Sequence, residues 1–386
     1  MFNLDYLTKI LNFCQDVSHK LLLLCFSVLF LKQSTWQGNI GTGNLRIEIY
    51  NNKKGSGHIM KKTLLALAVL TAAGSANAGI NLYDANGVKV DLSGAAEVQL
   101  YDGFEKHADS TIRLDDGDLA LHATVAVSDN LNVVSGTAFK YENRDLQNYE
   151  LWTGFSGEFG TITIGRQLLV SDDSGIGKDY ELGAGQIDFA QTEGDRVAKY
   201  VYDNGTFYTA VSHEMDTDHS TTITDGRVGF RTGGLDVRAY GYDGKRISAE
   251  GFTLGNNNGT PIIIPGKAGE DVSGYNLEAE YAMGAVNLAA SFGQVEYKAA
   301  DTKETNKNID LYEINGSYTI DKTTLALGYV RGEDKVDDGN VINNVYANVT
   351  QQLHSNVRAY LELGYSDDKK DELEDFGYVA GLEVKF

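Results

Sequence analysis

The 386-residue chain carries 54 acidic and 33 basic residues, a net charge of −21, with 43 glycines, 22 tyrosines and only two prolines. This acidic balance argues against nucleic acid as a partner, because binding nucleic acid requires Lys and Arg against phosphate. Abundant glycine and tyrosine with little proline favour many strands joined by tight turns over a disordered or collagen-like chain.

The first element in chain order is an export signal that begins at residue 60. The segment Met60–Ala78 contains two lysines, a short apolar run and a small-x-small end. This pattern is typical of a cleaved secretory signal peptide, and its apolar run is too short to cross a bilayer as a helix. We expect residues 1–59 to be upstream translation and the mature protein to begin at Gly79. A long, two-part targeting leader is the alternative.

Removal of residues 1–78 changes the charge and the cysteine content of the chain. It takes away eight basic and three acidic residues and both cysteines, which leaves 25 basic and 51 acidic residues and a net charge of −26. An exported chain without cysteine has no disulfides to stabilise it. A closed, hydrogen-bonded β-barrel provides stability of another kind.

Strict alternation of apolar and polar residues recurs throughout residues 79–386. Val88, Val90 and Leu92 fall on one face of the first example, and Lys89 and Asp91 fall on the other. A period of two is typical of a strand with one apolar face. The alternation predicts sixteen strands, at about 87–102, 112–127, 131–141, 149–155, 161–166, 196–202, 206–213, 224–232, 235–242, 274–281, 286–297, 309–319, 323–332, 341–353, 357–366 and 376–386.

The connections between these strands alternate between short and long. The short ones contain the Gly, Asn and Asp that tight hairpin turns require. The long ones are polar and include 103–111, 167–195, 243–273, 298–308, 333–340 and 367–375. Short turns at one end and long loops at the other are typical of an outer-membrane β-barrel.

The segment between Arg166 and Arg196 runs for about thirty residues without periodicity and contains several carboxylates. Loops longer than about 12–15 residues are uncommon in compact domains and are usually functional or disordered. If this loop folds into a barrel, its acidic residues face basic residues across the lumen. The alternative is a solvated, acidic, external loop.

Three segments together resemble the general porins of Gram-negative bacteria, which are trimers of sixteen-stranded barrels. They are the first strand at 81–94, the segment 149–166 that leads to a Gly-Arg pair, and the last strand, which alternates and ends at Phe386. The resemblance covers 79–386. It implies a transmembrane antiparallel β-barrel of about sixteen strands whose long third loop folds into the lumen, and it implies passive diffusion of ions and small hydrophilic solutes.

The resemblance also implies site residues. Glu181, in the run Tyr180–Gly183, matches the loop carboxylate of the family, and Asp173 and Asp179 are weaker matches. Arg166 and Arg196 match arginines of the pore wall. In the family a lysine often follows the first-strand glycine, but in this chain that position is Ala95. One further wall arginine of the family has no clear counterpart here, and Arg113 is the candidate substitute.

Strand parity adds to this assignment and raises one conflict. With Tyr200 and Tyr202 facing lipid, Lys199 points into the lumen, and the same argument predicts that Arg238 and Arg358 are lumenal. The same alternation directs Arg166 toward lipid with Ile162 and Ile164, unless the strand has ended or a bulge redirects it. The predicted site is therefore acidic at Asp173, Asp179 and Glu181 and basic at Arg113, Arg166, Arg196 and Lys199.

Other functions have weaker support in the sequence. The scattered histidines have no repeated metal-ligand spacing, and a nucleophile and base for catalysis do not converge in the pattern. We therefore expect no cofactor and no enzyme activity; a loop-based adhesin or receptor, or a barrel enzyme, is the alternative. We expect a homotrimer in the bacterial outer membrane, in contact with lipid and lipopolysaccharide, and a preference for cations.

Overall fold

The computed structural model describes residues 79–104, 109–141, 146–187, 189–215, 221–247, 256–257, 260–261, 269–337, 340–368 and 376–386. The predicted signal peptide, residues 1–59, the acidic run 369–375, and His107, Asp188, His219 and Pro265 lie outside these ranges. In the described part the chain is almost entirely strand. The strands are β1 Ile80–Ala85, β2 Val88–Asp102, β3 Thr111–Ser128, β4 Leu131–Lys140, β5 Gln147–Gly157, β6 Gly160–Leu168, β7 Glu193–Asp203, β8 Phe207–Met215, β9 Thr222–Thr232, β10 Leu235–Ile247, β11 Asn256–Asn257, β12 Thr260–Pro261, β13 Glu270–Met283, β14 Val286–Ala299, β15 Thr305–Ile320, β16 Thr323–Asp334, β17 Val341–His354, β18 Val357–Asp368 and β19 Phe376–Lys385.

Sixteen of these strands, β2–β10 and β13–β19, form a closed antiparallel barrel. Each pairs with its sequence neighbours in the barrel, and the ring closes where β19 pairs with β2. Because the ring is closed, each of the sixteen strands has a hydrogen-bonded neighbour on both sides. A bilayer has no water to hydrogen-bond exposed backbone groups, so strands that cross it need this pairing. All sixteen predicted strands are confirmed, with ends that differ by a few residues.

The two ends of the barrel chain, β1 and β19, pair with successive parts of the same strand, β2. The sequence did not predict this arrangement. β1 pairs with Val88–Leu92 of β2, and β19 pairs with the following part of β2 up to Asp102. Between them, Phe386 exchanges two backbone hydrogen bonds with Gly94, of 2.7 and 2.9 Å. A Cβ at Gly94 would collide with the ring of Phe386, so the missing side chain is what lets the terminal aromatic residue pack on this strand.

The alternation separates an apolar outer face from a polar inner face. On β2, for example, Val98 and Leu100 are exposed, whereas Glu97 and Gln99 are buried. Large exposed apolar side chains continue around the barrel at Leu114, Leu151, Ile164, Val211, Val228, Leu277, Leu288, Ile314, Leu327 and Leu382. This outward apolar band is the surface that lipid covers in an outer-membrane barrel. Among the described residues, no helix is long and apolar enough to span a bilayer.

Candidate functional site

The connection between β6 and β7, residues 169–192, folds into the barrel and packs along its inner wall. At its base, the backbone N–H of Val170 donates to Ser212 Oγ at 2.9 Å, and that of Ser171 donates to Asp225 Oδ2 at 2.6 Å. Leu169 is fully buried in a cluster of inner-wall residues from β7, β9, β10 and β13–β15. The inner face of the barrel thus binds the loop through both polar and apolar contacts.

The outgoing half of the loop crosses β9, β10 and β13. Asp173 pairs with Arg227 at 2.8 Å, and the Tyr240 hydroxyl donates to the Asp173 carbonyl at 2.8 Å. The N–H of Gly175 donates to Glu278 Oε1 at 2.6 Å. Glu278 is fully buried and is also paired with Arg238. Asp173 therefore fixes the loop on the wall, with its charge matched by Arg227.

The loop tip is held by one carboxylate of β18. Three consecutive backbone N–H groups, those of Tyr180, Glu181 and Leu182, donate to Glu362 at 2.7, 2.9 and 2.8 Å. Asn348 adds a fourth donor at 3.0 Å. Because hydrogen bonds to an ionised acceptor are stronger than neutral ones, Glu362 sets the position of the tip.

Apolar contacts reinforce the tip. Leu182 is fully buried against Phe104, Tyr360 and Val379. The ring of Tyr180 stacks on that of Tyr360, with centroids 3.4 Å apart and an interplanar angle of 2°. Such stacked pairs add to the free energy that area burial provides.

Asp179 stabilises the loop from within. Its carboxylate accepts from Gln186 Nε2 at 2.5 Å and from the Gly183 N–H at 3.0 Å. A Cβ at Gly183 would collide with this carboxylate and with the Gln186 amide, which explains the glycine. Burial raises the pKa of Asp179, although its hydrogen-bond donors oppose that shift.

Glu181 is the loop carboxylate that reaches β2 and β3, which follow β18 and β19 around the barrel. Its Oε2 lies 2.5 Å from Arg113 Nη2, and its Oε1 accepts from Gln99 Nε2 at 3.0 Å. The same Arg113 Nη2 lies 3.3 Å from Asp115 Oδ1, and the guanidinium lies over the Tyr101 ring at 3.8 Å. The structure therefore brings the predicted acid Glu181 and the predicted substitute Arg113 into direct contact.

A polar cavity of about 350 Å³ lies beside the loop tip. It is lined by four carboxylates, two cations, a buried amide and two further loop residues: Glu97, Asp115, Asp179, Glu181, Lys178, Arg358, Gln99, Gly177 and Tyr180. Arg358 is paired with Glu383 and lies 5.1 Å from the Tyr180 ring centre. We call this cavity the opening; its acidic groups come from β2 and β3 as well as from the loop.

Arg166 does not join this group. In the β-ladder it pairs with Leu151, whose side chain is exposed, and its guanidinium binds Asp195 at 2.5 Å and the Asn148 carbonyl at 2.8 Å. The bulge that could redirect it lies instead on β7, where two residues, Asp195 and Arg196, oppose Arg166. Arg166 keeps the parity of Ile164, so its assignment to the pore wall is corrected.

The other two predicted basic residues differ from each other. Arg196 occupies the bulge, its side chain is exposed, and its backbone N–H donates to Glu214 at 3.0 Å. It precedes Val197, which is fully buried on the inner side, so the structure does not bring Arg196 to the loop tip either. Lys199 has inward parity, and its Nζ donates to the Leu168 carbonyl at 3.0 Å.

Several residues of the site are absent from the sequence-based prediction. Glu362, Arg227 and Gln99 all have inward parity, so alternation alone places them on the inner face. Alternation gives no sign of their partners, because these are atoms of a loop far away in the sequence. Lys140, also inward, is a charged neighbour of Asp172 together with Lys199.

One group of carboxylates has the spacing that a metal ion needs. One oxygen each from Glu97, Asp116 and Glu383 lies within 4.8 Å of the others. Glu383 is already paired with Arg358 and, at 2.7 Å, with Lys385, while Glu97 accepts from the Tyr360 hydroxyl. Cations and a hydroxyl of the protein thus satisfy two of the three carboxylates.

Comparisons with known proteins agree with this geometry. The model of the Gram-negative porin family matches residues 63–371. The chain is 50% identical over 340 residues to porin-like protein H of Photobacterium profundum, an alignment that covers 85% of this chain and 100% of that protein.

Solved structures share the fold. The trimer form of OmpT from Vibrio cholerae is 22% identical, with a TM-score of 0.63, covering 78% of this chain and 100% of that one. An anion-selective porin from Comamonas acidovorans is 16% identical, with a TM-score of 0.62 and the same coverage.

The chain therefore belongs to the Gram-negative porin family. It is a sixteen-stranded barrel of the bacterial outer membrane that forms a channel, as the resemblance of its segments implied. The family describes channels rather than enzymes, and the comparisons give no support to a loop-based adhesin or receptor.

Proposed function

We propose that the protein is a passive diffusion channel for ions and small hydrophilic solutes and that it prefers cations. The observation that carries the preference is the charge around the opening, where four carboxylates outnumber the two cations of the lining and Arg113, which pairs with Glu181 and Asp115. A lining of one predominant sign concentrates counter-ions, and low-dielectric walls strengthen this focusing.

The general likeness to porins does not decide ion selectivity. The Comamonas acidovorans porin shares the fold and is anion-selective by its description, so selectivity depends on the residues at the narrowing. Screening limits each charge to about 10 Å at 0.1 M salt. For this reason we assign the preference to Glu181 first, with support from Asp115 and Glu97. Asp179 contributes less, because burial raises the pKa of its carboxyl group and so favours the neutral form.

A planar-bilayer recording across a KCl gradient tests the preference. The reversal potential of the native channel should have the sign of K⁺ selectivity. Neutralising Asp371 and Glu372 in the outer acidic run should leave it nearly unchanged, since these residues belong to an external loop in the sequence pattern. An anion-selective native channel would contradict the proposal.

We also propose that the channel is a homotrimer embedded in outer-membrane lipid and lipopolysaccharide. The OmpT neighbour is described as a trimer, and the outward residues Ala96 and Ala380 leave room for close approach of another copy. Gly94, the third small outward residue, is covered by Phe386. Cross-linking in mild detergent should give trimers; monomers alone would argue against this assembly.

The proposed mature protein begins at Gly79, after cleavage of the signal peptide Met60–Ala78. Support comes from the sequence pattern of this segment and from the start of β1 at Ile80. Intact mass of protein purified from outer membranes should match residues 79–386. A peptide from residues 1–59 in that material would contradict the proposal.

A further inference from the structure

Gln99 of β2 contacts both members of the Arg113–Glu181 ion pair beside the opening. Its Oε1 accepts from Arg113 Nε at 2.8 Å, and its Nε2 donates to Glu181 Oε1 at 3.0 Å. The same Nε2 donates to the Tyr360 hydroxyl at 2.7 Å, which in turn donates to Glu97. Gln99 is only 1% exposed.

The chemistry of these partners fixes the orientation of the amide. A guanidinium nitrogen can only donate and an ionised carboxylate can only accept, so the amide oxygen must face Arg113 and the NH2 group must face Glu181. A carboxylate at this position would repel Glu181, and a cation would repel Arg113. Among polar side chains of this length, an amide is the one that satisfies both neighbours.

Gln99 also connects separate parts of the molecule. Arg113 is its cross-strand partner on β3, Tyr360 belongs to β18, and Glu181 belongs to the loop tip. The charges of the opening are therefore held relative to one another by a single buried neutral group, in addition to the direct contact of Arg113 with Glu181 at 2.5 Å.

We propose that Gln99 is a positioning residue for ion selectivity: its amide holds the Glu181 carboxylate and the Arg113 guanidinium in fixed places at the opening. The proposal rests on the cation preference assigned to Glu181. Without the Gln99 amide, the Glu181 side chain gains rotamers, and its charge is averaged over a larger region of the lumen.

Gln99→Met removes the hydrogen bonds with little change in shape. We expect open-channel noise to rise and the K⁺/Cl⁻ permeability ratio to fall by about twofold, as focusing by a localised charge weakens. The matched control is Gln294→Met. Gln294 is half-buried and likewise donates to a carboxylate, that of Asp310, at 2.7 Å, but on β14 and β15. This control should keep the native permeability ratio.

A double-mutant cycle separates positioning from a general structural role. Glu181→Gln should lower the permeability ratio in the native background, and by a much smaller factor in the Gln99→Met background. Gln99→Met and Gln294→Met should both keep the native heat-dependent migration of the folded barrel in gels.

Equal effects of Glu181→Gln in the two backgrounds would overturn the positioning role, whatever the selectivity of the native channel. A native channel without cation preference would instead contradict the proposed function, and an unequal effect of Glu181→Gln would still support coupling between Gln99 and Glu181.

Discussion

Two arcs of the inner wall use their charged residues differently. On the anchoring arc, which runs from β8 to β18, carboxylates accept backbone N–H groups of the loop or pair with arginines. Glu362, Glu278 and Asp225 are examples. On the opening arc, from β2 to β4, Arg113 and Asp115 meet Glu181 of the loop tip beside the cavity. The comparison separates acidic residues whose contacts fix the loop from those that the proposed function assigns to ion selectivity.

The largest expected effect comes from removing the main anchor of the tip. Glu362→Leu leaves the N–H groups of Tyr180, Glu181 and Leu182 without their acceptor, and each buried unsatisfied donor costs about 1–3 kcal/mol. We expect the tip to leave the wall, with a large change in single-channel conductance and much greater current noise.

A matched control for that variant is Glu296→Leu on β14. Glu296 accepts from Lys298 and Thr305 and should change conductance little when replaced. Native conductance and noise in Glu362→Leu would contradict the role of the anchoring arc.

An intermediate effect is expected at the base of the loop. Arg227→Met removes the partner of Asp173, along with the cation–π contacts of Arg227 with Tyr208 and Tyr240, at 5.3 and 5.7 Å. Loss of a hydrogen bond to a charged group costs about 1.5–3 kcal/mol. The temperature at which the folded barrel converts to its unfolded form in gels should fall, while the reversal potential stays close to native. If Arg227→Met changed ion selectivity strongly without lowering stability, the anchoring arc and the opening arc would not differ in the role of their charged residues.

The smallest effect is expected on the opening arc away from the tip. Lys140 stacks over Tyr149 at 4.6 Å and is a charged neighbour of Asp172. Lys140→Gln removes a positive charge from the inner face, so the K⁺/Cl⁻ permeability ratio should rise slightly. The increase should shrink further at 1 M salt, where the Debye length is about 3 Å. A fall in the ratio would place Lys140 in another role.

The fold could be predicted because lipid and lumen impose opposite demands on alternate residues. All sixteen barrel strands carry that alternation, from Val98 and Leu100 on β2 to Leu382 and Val384 on β19. β1 was missed, since its alternation is only six residues long and it is completed in space by the far end of the chain.

The site could be predicted only in part. Glu181 was identified from its loop motif and Arg113 from a gap in the resemblance, and the structure brings the two together. The Gly-Arg pair predicted that Arg166 lies on the pore wall. Its position in the alternation of β6 instead places it on the outer face, with Ile164. Glu362 was missed because its partner Glu181 lies 181 residues away in the sequence, and no local pattern reports such a contact.

The most direct test of the central claim compares two acidic residues of the same loop. Reversal potentials across a KCl gradient should be recorded for the native channel, for Glu181→Gln and for Asp173→Asn. The native channel should prefer K⁺, Glu181→Gln should lower that preference, and Asp173→Asn should leave it close to native because Asp173 does not line the cavity beside the loop tip, whereas Glu181 does. A native preference for Cl⁻, or equal shifts in the two variants, would contradict the account.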